Sequence, residues 1–312
     1  MDKYIGPEDM KLFWTRTGAP ILIFTYQVNQ ENLCQGMFLI DVRAAVPELE
    51  AELGKHAKKM PPIQFKEPVG LHRQPPEGEE DHPRYQREKN WALVQSPFSK
   101  DPEELMIMVE PGQLFRYQAA DKPVENVGSQ NESAVEAPYP HDIKPEDTWH
   151  SAENTCMHDV MLSDNHVHQS TPMLSLTLCN RGECEPLANN TVMLGMVQRR
   201  YDRPGSPFTW YDRHIAVYNA VPPYNMMSAS KSLAYLGEGN KYAWTGSMVY
   251  FHQGTEYAAN RSHGYLDDEI WLSFGIGDSA PGWLDVEARD LIADHNLCQG
   301  ASKGFRHYAK DL

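Results

Sequence analysis

What most constrains this chain is the cadence of its β-forming runs, which are short and set apart by polar, proline-rich connections. The clearest span Ile21 to Gln27, Gly36 to Val42, Glu104 to Glu110, Met173 to Asn180, Thr191 to Gln198, His214 to Val221, Gly246 to Phe251, Glu269 to Gly275 and Gly282 to Val286. Runs of this kind fit half-buried or fully buried strands, so the chain reads as all-β rather than as alternating β and α units. One short helical excursion interrupts them. Pro47 suits a first helical position, Glu48, Glu50 and Glu52 favour the positive end of the helix dipole, and Lys55, Lys58 and Lys59 favour its negative end. Two long connections, 58–89 and 120–158, are rich in Pro, Glu, Asp and His, as functional rims or mobile surface loops often are. A faint echo links Phe38-Leu39-Ile40-Asp41-Val42-Arg43 to Trp283-Leu284-Asp285-Val286-Glu287-Ala288-Arg289, each an apolar strand ending in Asp and Arg before a helix-prone stretch. Radially repeated sheets would produce that echo, and a β-sandwich is the plainer alternative.

Charge narrows the partners. A formal net charge of −15 over 312 residues, with no compensating basic stripe, disfavours nucleic acid and anionic membrane surfaces. No apolar run is long enough to span a bilayer, and the N-terminus lacks the pattern of a signal peptide, so the chain as written reads as soluble, without membrane contact, and cytoplasmic if complete. Cysteine usage pulls the other way. Cys179 and Cys184 bracket Asn-Arg-Gly-Glu between two strand-like runs, the shape of a disulfide-closed hairpin, although five reduced cysteines are an equal alternative. Sequons at Asn131, Asn189 and Asn260 add to the case for a secretory-pathway lumen (Golgi) or secretion.

His150, Cys156, His158, His166 and His168 crowd one stretch, but none of the tight paired spacings of a zinc site is present. Phosphate loops, dinucleotide fingerprints and nucleophile elbows are likewise missing, so neither a metal nor a cofactor is expected. What remains is the opening segment Gly6-Pro7-Glu8-Asp9-Met10-Lys11, an acidic pair on a tight turn. Taken alone, such a pair reads as a solvated turn carboxylate.

Several segments together, in order, resemble one superfamily. Gly6 to Lys11 is similar to the Gly-x-Glu-Asp-Pro-Arg turn of the five-bladed β-propeller β-mannoside phosphorylases and hydrolases, with Met10-Lys11 where the family has Pro-Arg. Glu88-Lys89-Asn90-Trp91, the Leu105 to Leu114 strand pair, His168-Gln169-Ser170-Thr171-Pro172, Tyr211 to Ser230, Trp244 to Val249 and Asp267 to Asp278 resemble later blades. The Lys-Asn-Trp step and the final strand look closer to the fungal β-mannosyltransferases, which build β-linked mannosides on cell-surface glycans. The resemblance implies a single five-bladed β-propeller over residues 1–312, its first blade incomplete because almost nothing precedes Gly6.

For the site, the resemblance implies Asp9 as catalytic acid or base and Glu8 and Lys11 beside it. Lys89, Arg199, Arg200 and Arg213 would hold phosphate or a sugar-phosphate or nucleotide-sugar donor. As neighbours on one strand, Arg199 and Arg200 point to opposite faces, so only one can reach a cleft. Asn90 and Thr171 would bind substrate, and Trp91 and Tyr211, with Trp210 and Trp244, would offer rings to a pyranose, although a single buried tryptophan is more often core. Hydrolysis would need a second carboxylate about 6.5–9.5 Å from the acid, from Asp278 or Asp268. The implied partner is a mannose-containing glycan or oligosaccharide. The expected activity is β-mannosyl transfer, the alternatives being phosphorolysis, hydrolysis, or non-catalytic glycan binding by a degenerate propeller.

Overall fold

The structure, a computed structural model, describes residues 6–29, 34–72, 89–111, 113–117, 132–136, 167–202, 209–222, 224–235, 242–251, 261–277, 279–298 and 305. It is mostly β-sheet, with short helices at the margins. Successive strands pair with their sequence neighbours to form four meanders. The first contains β1 (Glu8–Trp14), β2 (Pro20–Asn29), β3 (Cys34–Asp41) and β4 (Val69–His72). The second contains β5 (Ala92–Val94), β6 (Met106–Glu110), β7 (Gln113–Tyr117) and β8 (Glu132–Glu136). A parallel pairing of β4 with β8 joins these two into one eight-stranded sheet.

The third meander runs through β9 (Val167–Gln169), β10 (Leu174–Thr177), β11 (Thr191–Asp202), β12 (Thr209–Asn219) and β13 (Met226–Ser230). Both β9 and β10 pair with β11, so they act as one strand broken at Ser170-Thr171-Pro172, where proline offers no amide to the ladder. The fourth contains β14 (Ala243–Phe251), β16 (Glu269–Ile276) and β17 (Ala280–Glu287). Two short strands decorate the third sheet, β15 (His263–Tyr265) beside β10 and β18 (His295–Leu297) beside β13.

Among the described residues the first meander has four strands and the fourth has three. The stretches 58–89 and 120–158, read as loops, contribute β4 and β8, whose sequences Val-Gly-Leu-His and Glu-Ser-Ala-Val-Glu lack the continuous apolar run that marks β6. The helical excursion lies where expected, as α1 (Val42–Ala45) and α2 (Glu48–Leu53) followed by a 3₁₀ turn over Gly54–Lys59. A further helix, α3 (Ala288–Ile292), follows β17 just as α1 follows β3, which is the echo read from the sequence. At the first of these junctions the buried Asp41 carboxylate accepts from the Arg43 backbone N–H at 2.9 Å and takes the Arg43 guanidinium at 2.9 and 2.6 Å. None of the described helices is long and apolar enough to cross a membrane.

The core divides by neighbouring sheets. Phe13, Ile21, Ile23, Met37 and Leu39 of the first meander pack with Trp91, Leu93, Ile107 and Val109 of the second. Met106, Met108 and Leu114 turn the other way, onto Met193, Val197 and Ala216 of the third. Leu194, Met196, Ile215 and Val217 then meet Met248, Tyr250, Ile270 and Leu272 of the fourth. Strands such as β6 and β11 are thus buried on both faces, which is why their sequences read as continuous apolar runs instead of alternating ones. The fourth meander returns to the first, where Ser247 Oγ donates to Leu12 C=O at 3.4 Å.

A disulfide between Cys179 and Cys184 closes the β10–β11 connection. The loop it spans is short, so the entropy removed from the unfolded chain is small. Replacing both with serine is expected to lower stability by only about 2 kcal/mol, read as a lower urea midpoint with unchanged slope. A change several times larger would show that the hairpin organises the third sheet.

Candidate functional site

Strand β1 opens irregularly. Glu8 pairs with Thr25 and Lys11 with Ile23, so Asp9 and Met10 form a bulge in the ladder. Asp9 has φ 52, in the left-handed region that only Gly, Asn and Asp enter readily. A bulge re-aims side chains and is a common device beside active sites. Far along the chain, Asn90 has φ 63, again left-handed, immediately before β5. Two residues in this rare conformation therefore flank one place, since Lys89 places its ammonium 3.5 Å from the Glu8 carboxylate and 3.9 Å from that of Asp9. Both partners of these pairs are partly exposed, so the attraction itself stabilises the fold little.

Behind them lies Lys11, whose side chain is wholly buried. Its Nζ has no hydrogen-bond partner among the described residues, and the same holds for the buried Asn90 Oδ1. Burial pushes the Lys11 amine down to about 8; the Asp9 carboxylate opposes that shift and the Lys89 ammonium adds to it. Unpaired buried polar atoms are costly and uncommon in finished cores. Here a donor and an acceptor, one on each of two neighbouring segments, lie unpaired beside two carboxylates and a second ammonium. Such a set could grip hydroxyl groups or an anion while moving a proton at Asp9.

Five of the residues expected at the site thus come together: Glu8, Asp9, Lys11, Lys89 and Asn90. Trp91 follows them in sequence but is fully buried between the first two meanders, where it supports the corner as core and presents no ring face to a ligand. Asp278 lies outside the described residues. Asp268, the other carboxylate considered for hydrolysis, is committed elsewhere: it grips the Arg181 guanidinium and accepts from the Tyr265 backbone N–H at 2.7 Å.

The remaining candidates sit on the third sheet. Arg199 is opposite Asp212 across the β11–β12 ladder and pairs with it at 2.5 Å, whereas Arg200 is exposed on the other face, as strand alternation requires. Arg213 is buried, its guanidinium lying 4.5 Å from the centre of the Tyr235 ring and donating to Ala243 C=O at 3.1 Å. Tyr211 meets the Trp244 ring edge to face at 5.0 Å. Thr171 is buried, and its hydroxyl accepts from the Met196 backbone N–H at 2.9 Å, fixing the kink between β9 and β10. Gly195 lies close by: a Cβ there would fall 2.4 Å from Met173 Sδ and 2.7 Å from Gln169 Nε2, so those two side chains would have to shift to admit one.

Strand β14 ties this sheet to the acidic corner. Ala243 C=O accepts from Gln198 Nε2 at 3.2 Å as well as from Arg213, and the Thr245 N–H donates to Gln198 Oε1 at 3.1 Å. Ser170 Oγ lies between Gln198 Oε1 and Thr245 C=O, within reach of both for its single proton. One residue further along, Gly246 passes the backbone of Met10, and Ser247 holds that of Leu12. Sequence reasoning missed this seam of Gln198, Ser170 and Thr245. The available signal was a glutamine closing an otherwise apolar run, Thr191 to Gln198.

Among the described residues, no group of three or more His, Cys, Asp or Glu side chains is placed to hold a metal ion. Comparison with protein families, with curated proteins and with solved structures finds no match.

Proposed function

We propose that this chain is a carbohydrate-active β-propeller that acts on β-mannosides, as a β-mannosyltransferase with Asp9 as its acid/base. One observation carries the reading. The acidic turn and the Lys-Asn step, which the sequence resemblance links to one sugar site, meet in space, with both Asp9 and Asn90 in left-handed conformation. The propeller part is supported by the packing of consecutive meanders face to face in chain order, with the fourth returning to the first.

In the synthetic direction, Asp9 takes the proton of the acceptor hydroxyl as its oxygen bonds to the anomeric carbon, and the donor's phosphate leaves with the electron pair of the broken C–O bond. Lys89 and Lys11 supply positive charge at the corner, and Glu8, held by Lys89, is placed to accept hydroxyl hydrogen bonds. In the reverse sense, protonated Asp9 would assist departure of the glycosidic oxygen, with inorganic phosphate as nucleophile for a phosphorylase or water for a hydrolase. The commitment of Asp268 to Arg181 weighs against the hydrolase. The Cys179–Cys184 disulfide, and the engagement of Cys298 in another, support an oxidising lumen as the working compartment.

The test is to incubate the purified chain with β-mannobiose, with and without phosphate, and separately with activated mannosyl donors and mannoside acceptors. Donor-dependent chain extension is expected. Phosphate-dependent cleavage would instead make it a phosphorylase. Inactivity in all three with retained glycan binding would leave a binding propeller, and inactivity without binding would end the mannoside reading.

A further inference from the structure

The turn that precedes β11 contains two adjacent asparagines with opposite roles. Asn190 is structural: its Oδ1 accepts from the Leu187 N–H at 2.7 Å, and its Nδ2 donates to Glu185 C=O at 3.0 Å and reaches Cys184 Sγ at 3.3 Å. Asn189 is exposed at the tip of the same turn and has no hydrogen-bond partner among the described residues. It begins the triplet Asn189-Asn190-Thr191, which has the pattern read by N-glycosylation. Beside it Leu187 is 56% exposed, an apolar side chain left in water on a turn otherwise tied down by a disulfide and by Asn190.

We infer that Asn189 is an N-glycosylation site, modified with an oligosaccharide from a polyprenyl-diphosphate donor. The inference rests on the oxidising-lumen part of the reading above, and not on the mannoside activity. In the transfer, the bond between the anomeric carbon and the diphosphate oxygen breaks and the polyprenyl diphosphate leaves. Asn189 Nδ2 loses a proton and bonds to that carbon. The folded turn accommodates the product, because Asn189 is exposed and its side chain holds nothing in place.

The structure also orders the events. Thr191, whose hydroxyl completes the triplet, is buried in the folded sheet and faces the Thr177 hydroxyl at 3.0 Å. An enzyme that must read that hydroxyl therefore acts before the β10–β11 hairpin closes. The other two sequons begin at residues 131 and 260, outside the described residues, and the Ser262 that completes the latter is buried.

To test this, the full chain is directed by an appended leader into the secretory pathway of a eukaryotic host. The lumenal protein is treated with peptide N-glycosidase in heavy-oxygen water, and peptides are mapped by mass spectrometry. Heavy-oxygen aspartate at position 189 is expected, together with loss of one glycan from Asn189→Gln and from the charge-bearing control Asn189→Asp, while Thr191→Ser keeps it. An unmodified Asn189 in lumenal protein whose Cys179–Cys184 bridge has formed would overturn the inference. Mannoside activity is assayed on the same lumenal preparation of the unsubstituted chain, so the two readings fail separately. A glycan on an inactive protein leaves this inference standing and removes the other, and activity without a glycan does the reverse.

Discussion

Asp9→Asn is expected to cut turnover by roughly 10²–10⁴-fold, the usual contribution of a positioned acid or base, while the fold stays intact. The choice of asparagine matters. At φ 52 most side chains would strain the bulge, and the loss of activity could then be blamed on a distorted strand. Asparagine has the same shape as aspartate and enters the left-handed region at least as easily, so β1 should keep its register against β2. The checking measurement pairs steady-state kinetics on β-mannoside substrates with thermal unfolding. An unchanged melting midpoint together with the loss of turnover is the expected pair. Should turnover fall by less than about threefold, Asp9 is not the proton-transfer group, given the 10²–10⁴ normally at stake. Glu8→Gln serves as the internal comparison: its carboxylate shares Lys89 but sits in the regular ladder opposite Thr25, so a milder effect, chiefly on KM, is expected.

Lys11→Met is expected to make the protein more stable and less able to bind substrate. The side chain is fully buried and its amine is held down to about 8 by burial, against an ordinary 10.5. Below pH 8 both folded and unfolded chains carry the proton, and folding bears the whole cost of burying the charge. Between about 8 and 10.5 the unfolded chain binds more protons than the folded one, so stability rises with pH across that window. Above it neither state is charged and the cost is gone. At roughly 1.4 kcal/mol per tenfold change in proton affinity, the neutral-pH penalty is about 3 kcal/mol. Methionine fills similar volume without a charge, so the variant should recover most of that at pH 7 and lose the pH dependence between 8 and 10.5. Urea unfolding at pH 7 and pH 10 reads both effects. If the variant is destabilised, Lys11 Nζ has a partner in the folded protein and the picture of an open, unpaired amine is wrong. Stability given up for a ligand's benefit is a common mark of a binding site, and here it would rest on one atom.

How much of this was legible beforehand follows from the physics of each element. Strands buried on both faces, such as β6 and the Thr191 to Val197 part of β11, announce themselves as near-continuous apolar runs. Those such as β4 and β8 do not, since their pairing is decided by distant neighbours that local sequence cannot report. The acidic corner was found because Asp9 and Asn90 each sit in a recognisable short motif, and their convergence is a property of the tertiary fold alone. Trp91 was offered as a ligand platform because a tryptophan's sequence does not distinguish a ring in a cleft from one between sheets. The Gln198, Ser170 and Thr245 seam escaped notice because polar residues in strands look like surface until a third strand is seen to satisfy them.

The contact between Ser247 and Leu12 spans 235 positions in the sequence. During synthesis β1 emerges long before β14, the strand that lies against it on one side. Until β14 is made the acidic corner therefore faces no neighbour on that side. Closure of such a long loop is slow, and a nascent chain in that state carries an unfinished edge beside two carboxylates and a buried amine. Assembly of the corner then reports that β14 has been made: a product arrested before β14 can form the first three meanders and still leave the corner without its β14 neighbour.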